Sequence, residues 1–288
     1  MNSIQGQRIV ITGAASGIGR SLARQAAHAG AQLLLADIQT DALEELATAL
    51  RATGCTCHTM HCDTGHEASI AALTAESLRV FASSGGASII VNNAGVALIN
   101  PVETLQSADA HWLMNINFWG VVNGCRLFLP QLRQQPESVI VNISSIFAMV
   151  SMPTQSMYNA AKAAVRGFSD SLREELRESR VQVLCVHPGG IKTNIARASR
   201  KIDIAMIADD AQAMVQQFDE QARTTPEQAA AAIWHAVAHG QTRLLIGPDA
   251  RVLDLLYRLF PTHASAWLTA IVRWARKRDQ RAKAPKAS

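Results

Sequence analysis

The sequence predicts an α/β fold built on a doubly wound parallel sheet of seven strands, with helices on both faces and a C-terminal helical extension. Three observations carry this. Short apolar runs alternate with helical patterns through the first 190 residues, which is the signature of strand–helix–strand units. The runs are close to continuously apolar, as in Ile9–Ile11 and Leu33–Ala36, which suits strands buried on both faces. No internal repeat or low-complexity linker divides the 288 residues, and single α/β domains commonly reach about 250 residues.

In chain order, strands are predicted at Arg8–Thr12, Gln32–Asp37, Thr56–Cys62, Ala87–Asn92, Ser138–Ser144, Val181–His187 and, more weakly, Thr242–Ile246. Helices fill the intervals, two of them ending at Gly30 and Gly54, where a left-handed cap is expected. Thr225, Pro226 and Gln228 read as a helix start: a Thr cap, Pro in the first turn and Gln three residues on. The division expected is one α/β domain over 1–248, followed by an amphipathic basic extension over 249–288.

Composition narrows the class. With 48% hydrophobic and 17% charged residues the chain has ample material for a buried core. Five scattered Cys form no disulfide framework, no apolar run is long enough to span a membrane, and the first residues lack a signal-peptide core. The expectation is a cytoplasmic globular protein. The net charge of +4 is unevenly spread: from Arg251 onward nine Lys/Arg face two Asp. The body is therefore slightly acidic and presents no nucleic-acid face.

The first chemical signal is a glycine-spaced turn. Gly13, Gly17 and Gly19 follow the first predicted strand and open a helix. Gly13 permits the tight turn, Gly17 lets backbone approach a pyrophosphate, and Gly19 brings helix and strand together. Phosphate would then meet backbone N–H groups across Ser16, Gly17, Ile18 and Gly19 at the positive end of the helix. Asp37 ends the second strand, 18 residues after Gly19, where a carboxylate can bond adenosine ribose hydroxyls. It would repel a 2′-phosphate, and neither Ser16 nor Ile38 supplies a cation. NAD is thus expected over NADP, on a Rossmann-like sheet.

The second signal lies in the middle of the chain. Tyr158 and Lys162 are four apart in a predicted helix and so share a face. A free Tyr, with a pKa near ~10, is a poor base at neutral pH. A neighbouring Lys cation and an oxidised nicotinamide ring would both favour the phenolate. Ser145 stands thirteen residues before Tyr158 and can bond a substrate oxygen on which charge develops.

Taken with Asn92–Gly95, Asn117, Ser144–Ser145, Tyr158–Lys162 and Pro188–Thr193, all in order, the glycine turn resembles the classical short-chain dehydrogenase/reductase family over roughly residues 5–250. The resemblance implies an oxidoreductase with Tyr158 as acid–base group, Lys162 as its modulator and ribose anchor, Ser145 as oxyanion partner and Asn117 in a water relay. It adds Asp63, Thr64, Asn93, Ala94, Gly95, Pro188, Gly189, Ile191 and Thr193 to the cofactor contacts, and a substrate lid at about 193–225. It also implies a homodimer or homotetramer. The reaction expected is hydride transfer between nicotinamide and a secondary alcohol or ketone. The alternatives are a small polar carbonyl substrate, or an NAD-sensing protein without turnover.

Substrate class is read from Met149, Met152, Met157, Met206 and Met214, which fall beside the catalytic residues or in the lid. Met suits an irregular apolar pocket, so a lipophilic substrate is expected, with Met149 and Met152 among its contacts beside Ser145 and Tyr158. Core filling explains these Met as well, and Arg197, Arg200 and Lys201 in the lid could instead hold a carboxylate. Cys55, Cys57, His58, His61 and Cys62 look metal-like, but on a strand they alternate between faces, so no metal is expected. In the extension, Trp267, Ile271 and Trp274 give one apolar helical face beside Arg273, Arg276, Lys277 and Arg278. Peripheral membrane contact, packing on the body, a cover over the substrate pocket and a subunit interface all fit such a face.

Overall fold

The structure, a computed structural model, describes residues 1, 3–192, 200–201, 223–271 and 274. Its strands are β1 Arg8–Thr12, β2 Gln32–Asp37, β3 Cys57–His61, β4 Ile89–Asn92, β5 Leu98–Ile99, β6 Ser138–Ile143, β7 Val181–Pro188, β8 Arg200–Lys201 and β9 Arg243–Ile246. The helices are α1 Gly17–His28, α2 Thr40–Arg51, α3 Glu67–Val80, α4 Ser107–Met114, α5 Gly120–Arg133, α6 Ser156–Glu175, α7 Pro226–Ala238 and α8 Pro248–Leu259. A further helix, α9, runs over 264–271.

Seven strands form one parallel sheet in the order β3-β2-β1-β4-β6-β7-β9. All seven are those the sequence predicts, with ends shifted by one or two residues. Alternation along each strand sorts the apolar side chains into two layers. The register row Val10, Leu34, Ile90, Ile140 and Val183 faces α3, α5 and α6, where Leu73, Phe128 and Val165 close the core. The neighbouring row, Ile11, Leu35, Val91, Val141 and Leu184, faces α1, α2 and α7 through Leu22, Leu46 and Ile233. Continuous apolar runs are what such two-sided burial requires. On β3, Cys57 joins the second of these layers, while Cys62 just beyond the strand joins the first. Among the described residues no three His, Cys, Asp or Glu converge on one point.

Local signals also hold. Gly30 and Gly54 are left-handed (φ 79° and 87°), and Thr225 and Gln228 form a reciprocal cap with Pro226 in the first turn of α7. Two features had no sequence signal: the short β5–β8 pair and a π-helical turn over Asn115–Trp119 joining α4 to α5. Most of the expected lid, including Thr193, Arg197, Met206 and Met214, lies outside the described residues. Its described parts are the β8 backbone paired with β5 and the Ile191–Thr224 bridge.

The extension packs on the body. Leu253, Leu256, Tyr257, Ala264 and Leu268 meet Ile146, Met149 and Val150, and Ser151 N–H donates to Ser265 Oγ at 2.9 Å. Asp254 is buried between Arg243 and Arg258, which lies 3.0 Å away. No described helix is long and apolar enough to cross a membrane.

Candidate active site

Strand order reverses between β1 and β4, so the loops leaving their carboxyl ends diverge and open a crevice, the usual ligand position in such sheets. The glycine turn lines it. Gly13 has φ 64°, and a Cβ there would stand 2.8 Å from Ala94 Cα. A Cβ on Gly19 would lie 2.1 Å from the Gly13 carbonyl oxygen, so no side chain fits between strand and helix. Asn93 braces the turn from the opposite side, its Nδ2 donating to the carbonyls of Thr12 and Gly13 at 3.0 Å each. Thr12 Oγ1, which the sequence reading passed over, accepts from the Asn93 and Ala94 amides. Ser16 caps α1 in extended backbone with no side-chain cap bond, and the first turn carries no acidic residue. That leaves the helix terminus without an internal anion, a cradle that fits a dinucleotide pyrophosphate. Gly17 and Ile18 follow as the first residues of α1.

Asp37 sits at the end of β2, buried, with Oδ2 accepting from Ala15 N–H at 2.9 Å and Oδ1 from Gln39 N–H at 3.0 Å. It therefore fixes the glycine turn besides facing the crevice end of the strand. Asp63 Oδ1 accepts from Gly65 N–H at 2.8 Å, and Thr64 is buried against Gly120, where a Cβ would meet the Thr64 carbonyl at 2.9 Å.

The four candidate catalytic residues come from the turn after β6, from α6 and from the π turn, and they converge. Gly95 marks the meeting point: a Cβ there would be 3.3 Å from Asn117 Oδ1 and 3.5 Å from Lys162 Nζ. Asn117 is fully buried and chelates the Val96 backbone, Oδ1 accepting from N–H and Nδ2 donating to C=O, both at 2.8 Å. The π turn sets this residue's position, as π-bulges often do at functional sites. Lys162 is buried, donates from Nζ to the Ile143 carbonyl at 3.0 Å, and lies 5.8 Å from the Tyr158 ring centroid. Ser144 Oγ donates to the Lys162 carbonyl at 2.8 Å, tying β6 to α6. Ser145 Oγ accepts from Phe147 N–H at 3.1 Å and also hydrogen-bonds Tyr158.

Burial decides the electrostatics here. Removal from water lowers the Lys162 ammonium to about 8. The same burial raises the Tyr158 phenol, outweighing the hydrogen bond with Ser145 that pulls it down. The sequence expectation of a depressed Tyr158 is thus corrected for the protein alone: Lys162 does not overcome desolvation of the phenolate. His187, at the end of β7, is likewise buried and lowered to about 4.

After β7, Pro188 and Gly189 lead into Gly190, whose N–H donates to Asp249 Oδ2 at 2.6 Å. A Cβ on Gly189 would fall 2.2 Å from that same oxygen. Asp249 is a residue the sequence reading missed, since nothing near it in sequence announces the loop after β7 that it holds. Ile191 is buried beyond the loop and pairs with Thr224. The expected substrate contacts separate. Met149 is buried beneath the extension, whereas Met152 lines a cleft of about 1040 Å³ with Val102, Phe147, Pro153 and Trp274. The α6 wall of that cleft is Ser156, Asn159, Ala160 and Ala163, the face turned away from Tyr158 and Lys162.

Comparison with known proteins matches these features. The family profile described as short chain dehydrogenase covers residues 7–203. The oxidoreductase named SadH of Mycobacterium tuberculosis is 40% identical over 262 residues, 90% of this chain and 92% of that one. A short chain dehydrogenase/reductase from Burkholderia phymatum, solved in complex with NAD, is 28% identical with a TM-score of 0.82, over 90% of this chain and 96% of that one. A short-chain dehydrogenase from Streptomyces avermitilis is 27% identical with a TM-score of 0.76, over 97% and 100% of the two chains. Profile, relatives and the ordered motifs around the crevice agree that this chain belongs to the classical short-chain dehydrogenase/reductase family of oxidoreductases.

Proposed function

We propose that the protein transfers a hydride between NAD and a secondary alcohol or ketone; a bulky lipophilic substrate is proposed from the Met-rich sequence around the site alone. The observation that carries this reading is the convergence of Ser145, Tyr158, Lys162 and Asn117 at the mouth of the glycine turn. Nicotinamide, when bound, would supply the hydride acceptor or donor and, oxidised, a positive charge that favours the phenolate. The Tyr158 oxygen takes the proton from the alcohol, or gives it to the ketone. The Ser145 hydroxyl donates to the same substrate oxygen as charge develops on it. Lys162, a cation at neutral pH, holds cofactor ribose and steadies the phenolate, and Asn117 keeps the relay end of the site in place through Val96.

The cofactor would be held by Gly13, Ser16, Gly17, Ile18 and Gly19 at the phosphates and Asp37 at the adenosine ribose. Asp63 and Thr64 would serve at the adenine; Asn93, Ala94, Gly95, Pro188, Gly189, Ile191 and Thr193 would line its nicotinamide half. NAD is favoured by the buried carboxylate of Asp37, by exposed Ile38 beside it in place of a cation, and by the NAD bound to the Burkholderia phymatum relative. The active unit proposed is a cytoplasmic homodimer or homotetramer. The test is turnover of purified protein with NAD⁺ against graded alcohols, read by NADH absorbance. Preference for large apolar alcohols supports the reading, and preference for short hydroxy acids overturns the substrate class. Tight NAD binding with no turnover on any alcohol or carbonyl points to a sensor.

A further inference from the structure

The sheet row formed by Ile90, Ile140 and Val183 is apolar, yet two residues further along the same strands stand Asn92, Asn142 and Cys185, paired in register and buried. Strand alternation puts both rows on the face covered by α5 and α6. Asn142 is the hub of the polar row. Its Oδ1 accepts from Asn92 Nδ2 at 2.8 Å and from Cys125 Sγ on α5 at 3.4 Å. Its Nδ2 donates to Ser169 Oγ on α6 at 3.0 Å, and Ser169 donates in turn to the Val165 carbonyl at 2.7 Å. The approach of α5 is close: a Cβ on Gly124 would stand 2.1 Å from Asn92 Oδ1.

The two helices that meet at Asn142 are those that present the candidate catalytic groups. α5 starts at Gly120, directly after the π turn that carries Asn117. α6 carries Tyr158 and Lys162, and Ser169 lies about two turns beyond Lys162 on the same buried face. Ser144, two residues on from Asn142, holds the Lys162 carbonyl through Oγ. β6 therefore grips α6 at two separate points, which fixes its tilt as well as its position. Apolar side chains would bury equally well here but can slide over one another, whereas hydrogen bonds set direction and distance. We infer that Asn142 is a positioning residue for proton transfer. Fully buried and out of reach of any ligand, it sets α5 against α6 and so keeps Asn117 aligned with Lys162 and Tyr158. The inference rests on the roles proposed for those three residues.

The experiment compares the full chain with Asn142→Val and Ser169→Ala. Valine suits a buried strand, and the change leaves Asn92 Nδ2 its contact with Cys125 Sγ and Ser169 Oγ its contact with the Val165 carbonyl. Ser169→Ala cuts only the link to α6 and decides the matter alone if Asn142→Val does not fold. Turnover should fall about tenfold to a hundredfold, the cost of a displaced catalytic group, while NADH affinity stays that of the parent. The solvent deuterium isotope effect on turnover should rise in both variants, because proton transfer becomes slower than the hydride step. A merely structural role would reduce the amount of folded enzyme, which scales every rate alike and leaves that isotope ratio unchanged. The inference is overturned if the variants turn over like the parent, if turnover falls at an unchanged isotope effect, or if NADH affinity falls in step with the rate. A parent that turns over no alcohol or carbonyl, or that Tyr158→Phe equals in rate, overturns the proposed function itself and this inference with it.

Discussion

The imidazole of His187 meets the carbonyl oxygen of Ser145 at 3.3 Å, joining the end of β7 to the residue proposed to bond the substrate oxygen. Nδ1 carries the proton in this contact, since a carbonyl only accepts. The ring is buried and neutral, its pKa lowered from 6.5 to about 4 by burial and, secondarily, by Arg243. The unfolded chain binds a proton below about 6.5 that the folded chain refuses until about 4. Stability should therefore fall as pH drops through that window, by up to about 3 kcal/mol from this group. Urea titrations across the window should show the loss, and His187→Gln should flatten it. A wild-type midpoint independent of pH there would contradict the assignment.

Tyr158→Phe removes the proton-transfer oxygen and keeps the ring. Cofactor affinity should change little, while turnover falls by about a hundredfold or more. Because burial raises the Tyr158 phenol, alcohol oxidation should speed up as pH rises from neutral, with the gain cut short where Lys162, lowered to about 8, loses the charge that steadies the phenolate. Ketone reduction, which needs the protonated phenol, should slow over the same range. Steady-state rates in both directions check this, and a profile flat in both would remove Tyr158 from its role.

Asp37→Ala has two expected effects. Loss of the carboxylate should weaken NAD and relieve repulsion of NADP, narrowing or reversing the preference. It also strips the Ala15 N–H of its acceptor, so the glycine turn loosens at a cost of about 1–3 kcal/mol for a buried unpaired donor. Catalytic efficiencies with both cofactors, alongside a melting curve, separate the two. Equal efficiencies already in the parent would contradict the reading of Asp37.

Much of this site was legible because it rests on local constraints. Gly13 and Gly19 are glycines for reasons of backbone and contact, and Ile9–Ile11 and Leu33–Ala36 are apolar because both faces of the sheet are covered. Tyr158 and Lys162 share a helical face by spacing alone. Other features depend on partners distant in sequence. Nothing near Asn117 announces the Val96 backbone it chelates, nor the π turn that presents it. The raised phenol of Tyr158 follows from how completely the fold excludes water, a balance that the Lys162 spacing does not reveal. Met149 reads as a pocket residue until Ala250 and Ala264 are seen to cover it.

Asp249 shows the same limit and supplies the last test. It opens α8, yet its carboxylate accepts from Gly190 N–H at 2.6 Å and crowds Gly189, holding the loop proposed to line the nicotinamide half of the cofactor. Asp249→Ala leaves that amide without its acceptor and frees a loop that is otherwise pinned between β7 and the extension. Cofactor dissociation constants should rise up to about tenfold, as expected for loss of one hydrogen bond of about 0.5–1.5 kcal/mol acting through loop order. Asp249→Asn keeps an acceptor oxygen at the same reach and should recover most of the loss, which a purely electrostatic role would not allow. Titration of NADH fluorescence on the three proteins decides between them. If Asp249→Ala binds cofactor like the parent, the extension does not support the site through this residue.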